Sequence, residues 1–307
     1  MKQDRDQELI AERYRLVGPA LGRGGEGEVF RALDTRGGQW VALKLLDRSS
    51  RLVRELRTLS LSHVHLCPIW DFGSWRGRAF VVMELAAQSL EQQFRGAPPE
   101  SEWDDRLCEL LQLVAGLACL HRAGILHRDL KPANVLRMTD GRLVLADFGL
   151  SARAREACTR FVGTVGYLAP ECALGAPASY ASDVWALGLI LHRLFFFVSP
   201  RWVMGSDGPR IVSTVPRERA GKVHTQVHRL CLSCLAFDPS ARPRDASAVR
   251  AQLGRIIDGC ELNIEVGERA EHPIVLRVQR SWERMIVSAL AFGLVLFVLL
   301  LVGRLVV

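Results

Sequence analysis

Lysine is scarce in this chain of 307 residues: Lys2, Lys44, Lys131 and Lys222 are set against a Lys and Arg total of 40. Arginine is a planar fork, whereas lysine is a compact ammonium that sits between phosphate oxygens as a point charge, so a lysine kept here marks a place where shape demands it. An apolar stretch near the start is also lacking. MKQDRDQELIAERY is polar and charged, which excludes a secretory signal there. No internal repeat or low-complexity tract occurs. The eight cysteines fall at irregular intervals, without the spacing of a disulfide framework, and read as free thiols in a reducing compartment. Cys231 and Cys234 form a CxxC, but no second pair follows, and the neighbours Leu230, Leu232 and Leu235 favour a buried helix over a zinc or redox centre. The net charge of +7 is spread through every segment instead of one stripe, which argues against a nucleic-acid partner.

About half of the chain is apolar, enough for one large core or two lobes. From Met285 to Gly303 no charge occurs, and at about 1.5 Å per helical residue such a run reaches the thickness of a bilayer's hydrocarbon core. Residues 285–303 are therefore expected to span a membrane as a single helix. Arg277, Arg280 and Arg284 precede the run and Arg304 follows it, so the positive-inside rule places the bulk of the chain in the cytoplasm, with the tail 304–307 beyond an inner, cell-membrane anchor. Ala289 and Gly293 form a small-xxx-small pair that would suit a homodimer of such helices.

The segment YRLVGPALGRGGEGEVFRALD reads as strand, glycine turn and strand, and QWVALKLLD as a third strand, an antiparallel meander. Leu52, Leu56 and Leu59 follow at helical spacing, and strand character resumes in HLCPIWDFG and RAFVVMELA. After Gln88 the pattern turns helical, first in SEWDDRLCELLQLVAGLACLHRAG, with Ser101 as N-cap and Gly124 as terminator. YASDVWALGLILHRLFF, HTQVHRLCLSCLAF and DASAVRAQLGRII give further helices joined by Gly- and Pro-containing loops. In the linker 258–284, ELNIEV and PIVLRV alternate as a short hairpin or extended tether would.

Gly22, Gly24 and Gly27 make a GxGxxGxV that runs into a second strand and not into a helix, which disfavours a dinucleotide turn and suits a flap whose backbone N–H groups approach phosphates. Lys44 in VALK lies on the third strand, with Glu55 on the following helix as its carboxylate partner. HRDLKPAN, His127 to Asn134, is followed by ADFG with Asp147, Phe148 and Gly149. A hydroxyl attacking phosphorus needs a carboxylate in hydrogen-bond reach, Asp129. Magnesium needs oxygen ligands, which Asn134 and Asp147 supply, and Lys131 balances charge on the transferring group. A second DFG, at Asp71, Phe72 and Gly73, precedes the HRD inside a strand run and so cannot be the metal loop.

With GTVGYLAPE, SDVWALG and DPSARP added, the chain resembles the eukaryotic-type serine/threonine protein kinase family, in particular its bacterial membrane-anchored members, from Tyr14 to Ile257. The resemblance implies an α+β bilobal fold: an N-lobe (14–86) of antiparallel sheet plus one helix, a helical C-lobe (87–257), a polar segment 1–13 before them and a single transmembrane helix after. It implies ATP with Mg2+, or Mn2+ in its place, and protein substrates phosphorylated on Ser or Thr, the protein itself included. It places Leu21, Gly22, Gly24, Gly27, Val29, Ala42, Lys44, Met83, Glu84 and Ala86 around the nucleotide, with Met83 as gatekeeper and Glu84 and Ala86 on the adenine hinge. Glu171 then pairs with Arg242, Asp183 is structural, and Thr159 and Thr164 belong to the activation segment. Arg128, Arg153, Arg155 and Arg160 form a cluster that a phosphate on Thr159 would neutralise. A non-catalytic ATP-binding scaffold would have lost one of Lys44, Asp129, Asn134 or Asp147, and a small-molecule phosphotransferase would lack the GT and APE segment; all are present.

Overall fold

The computed structural model describes residues 9–24, 27–46, 61–96, 103–148, 165–205, 208–212 and 222–259. The described residues up to Phe148 belong to one compact unit and those from Val165 to a second. The helix expected around Glu55, the segment with Thr159 and Thr164, the linker from residue 260 and the span 285–303 lie outside the described residues. Among the described residues no helix is long and apolar enough to cross a membrane.

The first unit is built on a six-stranded antiparallel sheet of β1 (Leu9–Ile10), β2 (Tyr14–Gly24), β3 (Gly27–Asp34), β4 (Gln39–Leu46), β5 (Ile69–Trp75) and β6 (Arg78–Glu84), in the order β1-β2-β3-β4-β6-β5. Strand alternation divides β4 between two cores. Val41, Leu43 and Leu45 pack with Tyr14, Phe30 and Phe80, while Ala42 and Leu46 face a second cluster with Val81 and Met83. The register between Ile69 and Asp71 slips by a bulge, and Asp71 is tied across the sheet by the Tyr14 hydroxyl, which donates at 2.6 Å, and by Arg13, which also pairs with Asp34 at 2.7 Å. The second DFG of the sequence is thus a strand whose aspartate joins three strands. Burial, then the hydrogen bond to Asp71, pushes the Tyr14 hydroxyl upward, so it stays a donor.

The same unit continues through a smaller sheet of β7 (Gln88–Ser89), β8 (Val135–Arg137) and β9 (Leu143–Leu145). The helix α1 (Leu90–Gln93) is opened by a Ser89 and Gln92 capping box. The long α2 (Trp103–Arg122) ends where Gly124 turns left-handed at φ 75°, as a C-terminal glycine should. Gln112 of α2 accepts the Leu143 amide at 2.7 Å, which braces β9.

The second unit is helical: α3 (Pro170–Ala173), α4 (Tyr180–Phe196), α5 (Lys222–Cys234) and α6 (Ala246–Asp258). Ser179 and Ser182 form the capping box that starts α4, which is buried almost throughout. At Gly188 any Cβ would press on Cys234, Leu235 and the Cys231 carbonyl, so glycine there lets α5 approach. Cys231 and Cys234 are fully buried free thiols, and burial pushes Cys234 up to about 12, which keeps it protonated and a poor metal ligand. A further hairpin, β10 (Arg201–Gly205) with β11 (Gly208–Val212), follows α4 where only loop was expected; Gly205 and Gly208 pair at its turn.

Candidate functional site

The register of the larger sheet brings the expected nucleotide residues together. Val29 pairs with Lys44, and Ala42 with Met83. Val29, Ala42, Met83 and Ala86 fall in one apolar cluster, together with Leu136, Met138 and Ala146, which the sequence did not single out. Leu21 does not join it and stands 53% exposed on β2. The three flap glycines serve different ends. Gly27 has φ 149° and a Cβ there would strike the Leu45 carbonyl, so glycine is required by the sheet itself. A Cβ at Gly22 or Gly24 would meet no atom of the described residues within 4 Å, so no packing among them demands glycine at either position.

Lys44 is only 4% exposed, and its Nζ lies 2.9 Å from Asp147 Oδ2. A buried ammonium needs such a partner. Its expected partner Glu55 lies outside the described residues. Asp147 itself is left-handed at φ 60°, as is Arg128 beside Asp129 at φ 68°. Non-glycine residues held in that region carry backbone strain and collect at functional sites.

The HRDLKPAN segment folds as an extended loop closed by a 3-10 turn over Pro132–Asn134. The Lys131 ammonium donates to Asp129 Oδ2 at 2.7 Å, and the Asn134 amide donates to the same oxygen at 3.0 Å and to the Asp129 carbonyl at 2.8 Å. Because Asn134 uses its nitrogen in this way, its amide oxygen is left for a cation. Both of these side-chain contacts load Oδ2, and the Asp129 side chain is 43% exposed. The β8–β9 hairpin carries Asn134 at one end and Asp147 two residues past the other, and the Ala146 amide donates to the Asn134 carbonyl at 2.9 Å. The backbone thus brings Asn134 and Asp147 to the same end of the hairpin, and an amide oxygen and a carboxylate are the donor types that fit magnesium.

Glu84 ends β6, and Arg142 holds both of its carboxylate oxygens at 3.0 and 2.8 Å. In the second unit Glu171 and Arg242 pair through two bonds of 2.7 and 2.8 Å, as expected, and Asp183 is buried in the first turn of α4.

A glycine hairpin ahead of a buried lysine, joined to a loop of Asp, Lys and Asn, places the chain in the class of nucleotide-dependent phosphotransferase folds. The chain belongs to the protein kinase family: the protein kinase domain matches residues 16–253. That family uses ATP with Mg2+. The chain is similar to a protein of Bifidobacterium longum named a probable serine/threonine-protein kinase, with 28% identity over 83% of this chain and 36% of the relative. It is 32% identical to the serine/threonine-protein kinase PknL of Mycobacterium tuberculosis, over 81% of this chain and 67% of PknL. To the DNA damage-responsive serine/threonine-protein kinase RqkA of Deinococcus radiodurans it is 35% identical, over 78% of this chain and 39% of RqkA. The chain thus spans well under half the length of several curated relatives that it matches.

Proposed function

We propose that this protein transfers the γ-phosphoryl group of MgATP to serine and threonine hydroxyls of proteins, its own Thr159 included, while tethered to the cytoplasmic face of a membrane by residues 285–303. The observation that carries the reading is the loading of Asp129: Lys131 and Asn134 occupy Oδ2, so Oδ1 is left to orient a substrate hydroxyl and take its proton as it attacks. MgATP supplies the phosphoryl group, and the cation balances charge on its oxygens. Lys131 neutralises charge gathering on the transferring group, and Lys44, oriented by Asp147, reaches the α- and β-phosphates. Asn134 and Asp147 are the metal-holding pair. Gly22 and Gly24, free of packing duty among the described residues, expose backbone N–H groups to the phosphates. Val29, Ala42 and Met83, with Leu136 added, enclose the adenine, and the backbone at Glu84 and Ala86 reads its edge. The names of the relatives support Ser and Thr as acceptors, and the uncharged run from Met285 to Gly303 supports the tether.

One experiment tests the parts separately. The full chain and Asp129→Asn are compared for phosphate incorporation from radiolabelled ATP into casein and into the protein itself, with site mapping and membrane fractionation. Incorporation is expected to fall about 10^3-fold in the variant, with wild-type phosphate on Thr159 and the chain in the membrane pellet. Equal incorporation by Asp129→Asn overturns the assignment of the base; a chain that stays in the supernatant overturns the tether alone.

A further inference from the structure

The β8–β9 hairpin has an arginine on either side of its turn, and phosphoryl transfer as described uses neither. Arg142 reaches three separate segments: Nε donates to Asp140 at 2.8 Å, Nη1 to the Val64 carbonyl at 3.0 Å, and Nη2 to both oxygens of Glu84 at 3.0 and 2.8 Å. Arg137, at the end of β8, donates to Gln93 of α1 at 3.1 and 3.0 Å, to Glu109 of α2 at 2.8 Å and to the Gly141 carbonyl at 3.1 Å. The two guanidinium side chains are only 25% and 19% exposed, sheltered enough that salt does not screen them as it would a surface pair. Arginine suits both places, because a planar fork serves several acceptors at fixed angles where a lysine serves one direction at a time.

What these contacts join is informative. The root of the hairpin holds Asn134 and Asp147, and its turn holds Glu84, the residue where β6 gives way to irregular backbone. Glu84 is the last residue of β6 paired with β4, opposite Val41; past that ladder the Glu84 amide reaches the Pro68 carbonyl at 3.4 Å, and the Ala87 amide reaches the Arg137 carbonyl at 2.9 Å. We infer that Arg142 is a positioning residue for the nucleotide: its grip on Glu84 locks the adenine-side backbone at residues 84–86 to the same hairpin that carries the metal-holding pair. The hairpin then acts as a ruler between the two ends of ATP, with Arg137 bracing the chain that leaves the hinge. A hinge that is not held beforehand must be ordered when the nucleotide arrives, and that ordering is taken from the binding energy. The inference rests on the nucleotide site proposed above.

The test measures binding of a fluorescent ADP analogue with Mg2+, and steady-state kinetics with ATP and casein, in the full chain, Arg142→Met, Arg142→Lys, Glu84→Leu and the Arg142→Met, Glu84→Leu double variant. Arg142→Met is expected to raise the nucleotide Kd and the KM for ATP about tenfold, with kcat at saturating ATP within about twofold. Arg142→Lys, a point charge in place of a fork, recovers part of the affinity. The double variant binds no more weakly than Arg142→Met, because both changes remove one contact. A merely structural role would lower the melting temperature without shifting Kd in the folded fraction. Wild-type affinity in folded Arg142→Met, or effects that add in the double variant, overturns the inference. Should Arg142→Met not fold, unchanged affinity in Glu84→Leu, which leaves Arg142 no acceptor at that position, overturns it equally. A wild-type chain that binds no nucleotide fails the proposed function first and takes this inference with it.

Discussion

Up to Phe148, several ion pairs sit near strand ends and hairpin turns, with Arg13, Arg137 and Arg142 each 19–31% exposed, and the buried Lys44 is the exception. From Val165, the Arg242 side chain is fully buried against Glu171 and lies 4.9 Å from the Trp185 ring centroid. The contrast separates two uses of charge. In the first unit these arginine pairs keep some contact with solvent. In the second, the Glu171–Arg242 pair is sealed in, in company with the buried histidines His192 and His228, while Arg244 beside Asp245 stays exposed.

The comparison breaks most readily at Arg242. Arg242→Ala leaves Glu171 without its partner and removes bonds to the Ala236, Phe237 and Ala181 carbonyls, and it should cost about 3–5 kcal/mol in urea unfolding. A loss near 0.5 kcal/mol would place this pair with the surface bridges.

The glycine flap sharpens the first half of the contrast. Gly27→Ala forces a Cβ into the Leu45 carbonyl and should destabilise the first unit by about 2–3 kcal/mol. Gly22→Ala and Gly24→Ala should shift stability by less than about 0.5 kcal/mol while raising the KM for ATP severalfold. Equal stability losses at all three would erase the distinction between a sheet glycine and a phosphate glycine.

A smaller effect comes from pH. His192 donates from Nδ1 to the Val198 carbonyl at 2.7 Å and otherwise faces the rings of Phe196 and His228. Burial pulls its pKa down to about 4. The unfolded chain takes up this proton near its ordinary value of about 6.5. The stabilisation is therefore complete above that value and fades as pH falls towards 4, by about 2 kcal/mol at pH 5. His192→Gln, which keeps a donor for Val198, should flatten the profile of unfolding free energy against pH between 7.5 and 5.

Much of this arrangement was legible because its signals are local. Ser179 and Ser182 announce α4, Gly124 announces the end of α2, and HRDLKPAN lies within a single loop, so the contacts of Lys131 and Asn134 with Asp129 follow from spacing. What could not be read depends on partners far apart in the chain. Arg142 and Glu84 are separated by 58 residues, and Tyr14 and Asp71 by 57; periodicity says which face a residue takes, not which distant residue it meets there. Leu136 and Met138 have no motif and join the apolar cluster of Ala42 and Met83 only because the chain folds back there. The hairpin of Arg201–Gly205 and Gly208–Val212 did carry a signal, GSDG between short apolar runs, but one that also suits an irregular loop.

The bond between the Ala146 amide and the Asn134 carbonyl makes one rigid body of two oxygen donors. The main-chain freedom at these positions is surrendered while the polypeptide folds, so a ligand that used their side chains would have little backbone left to order.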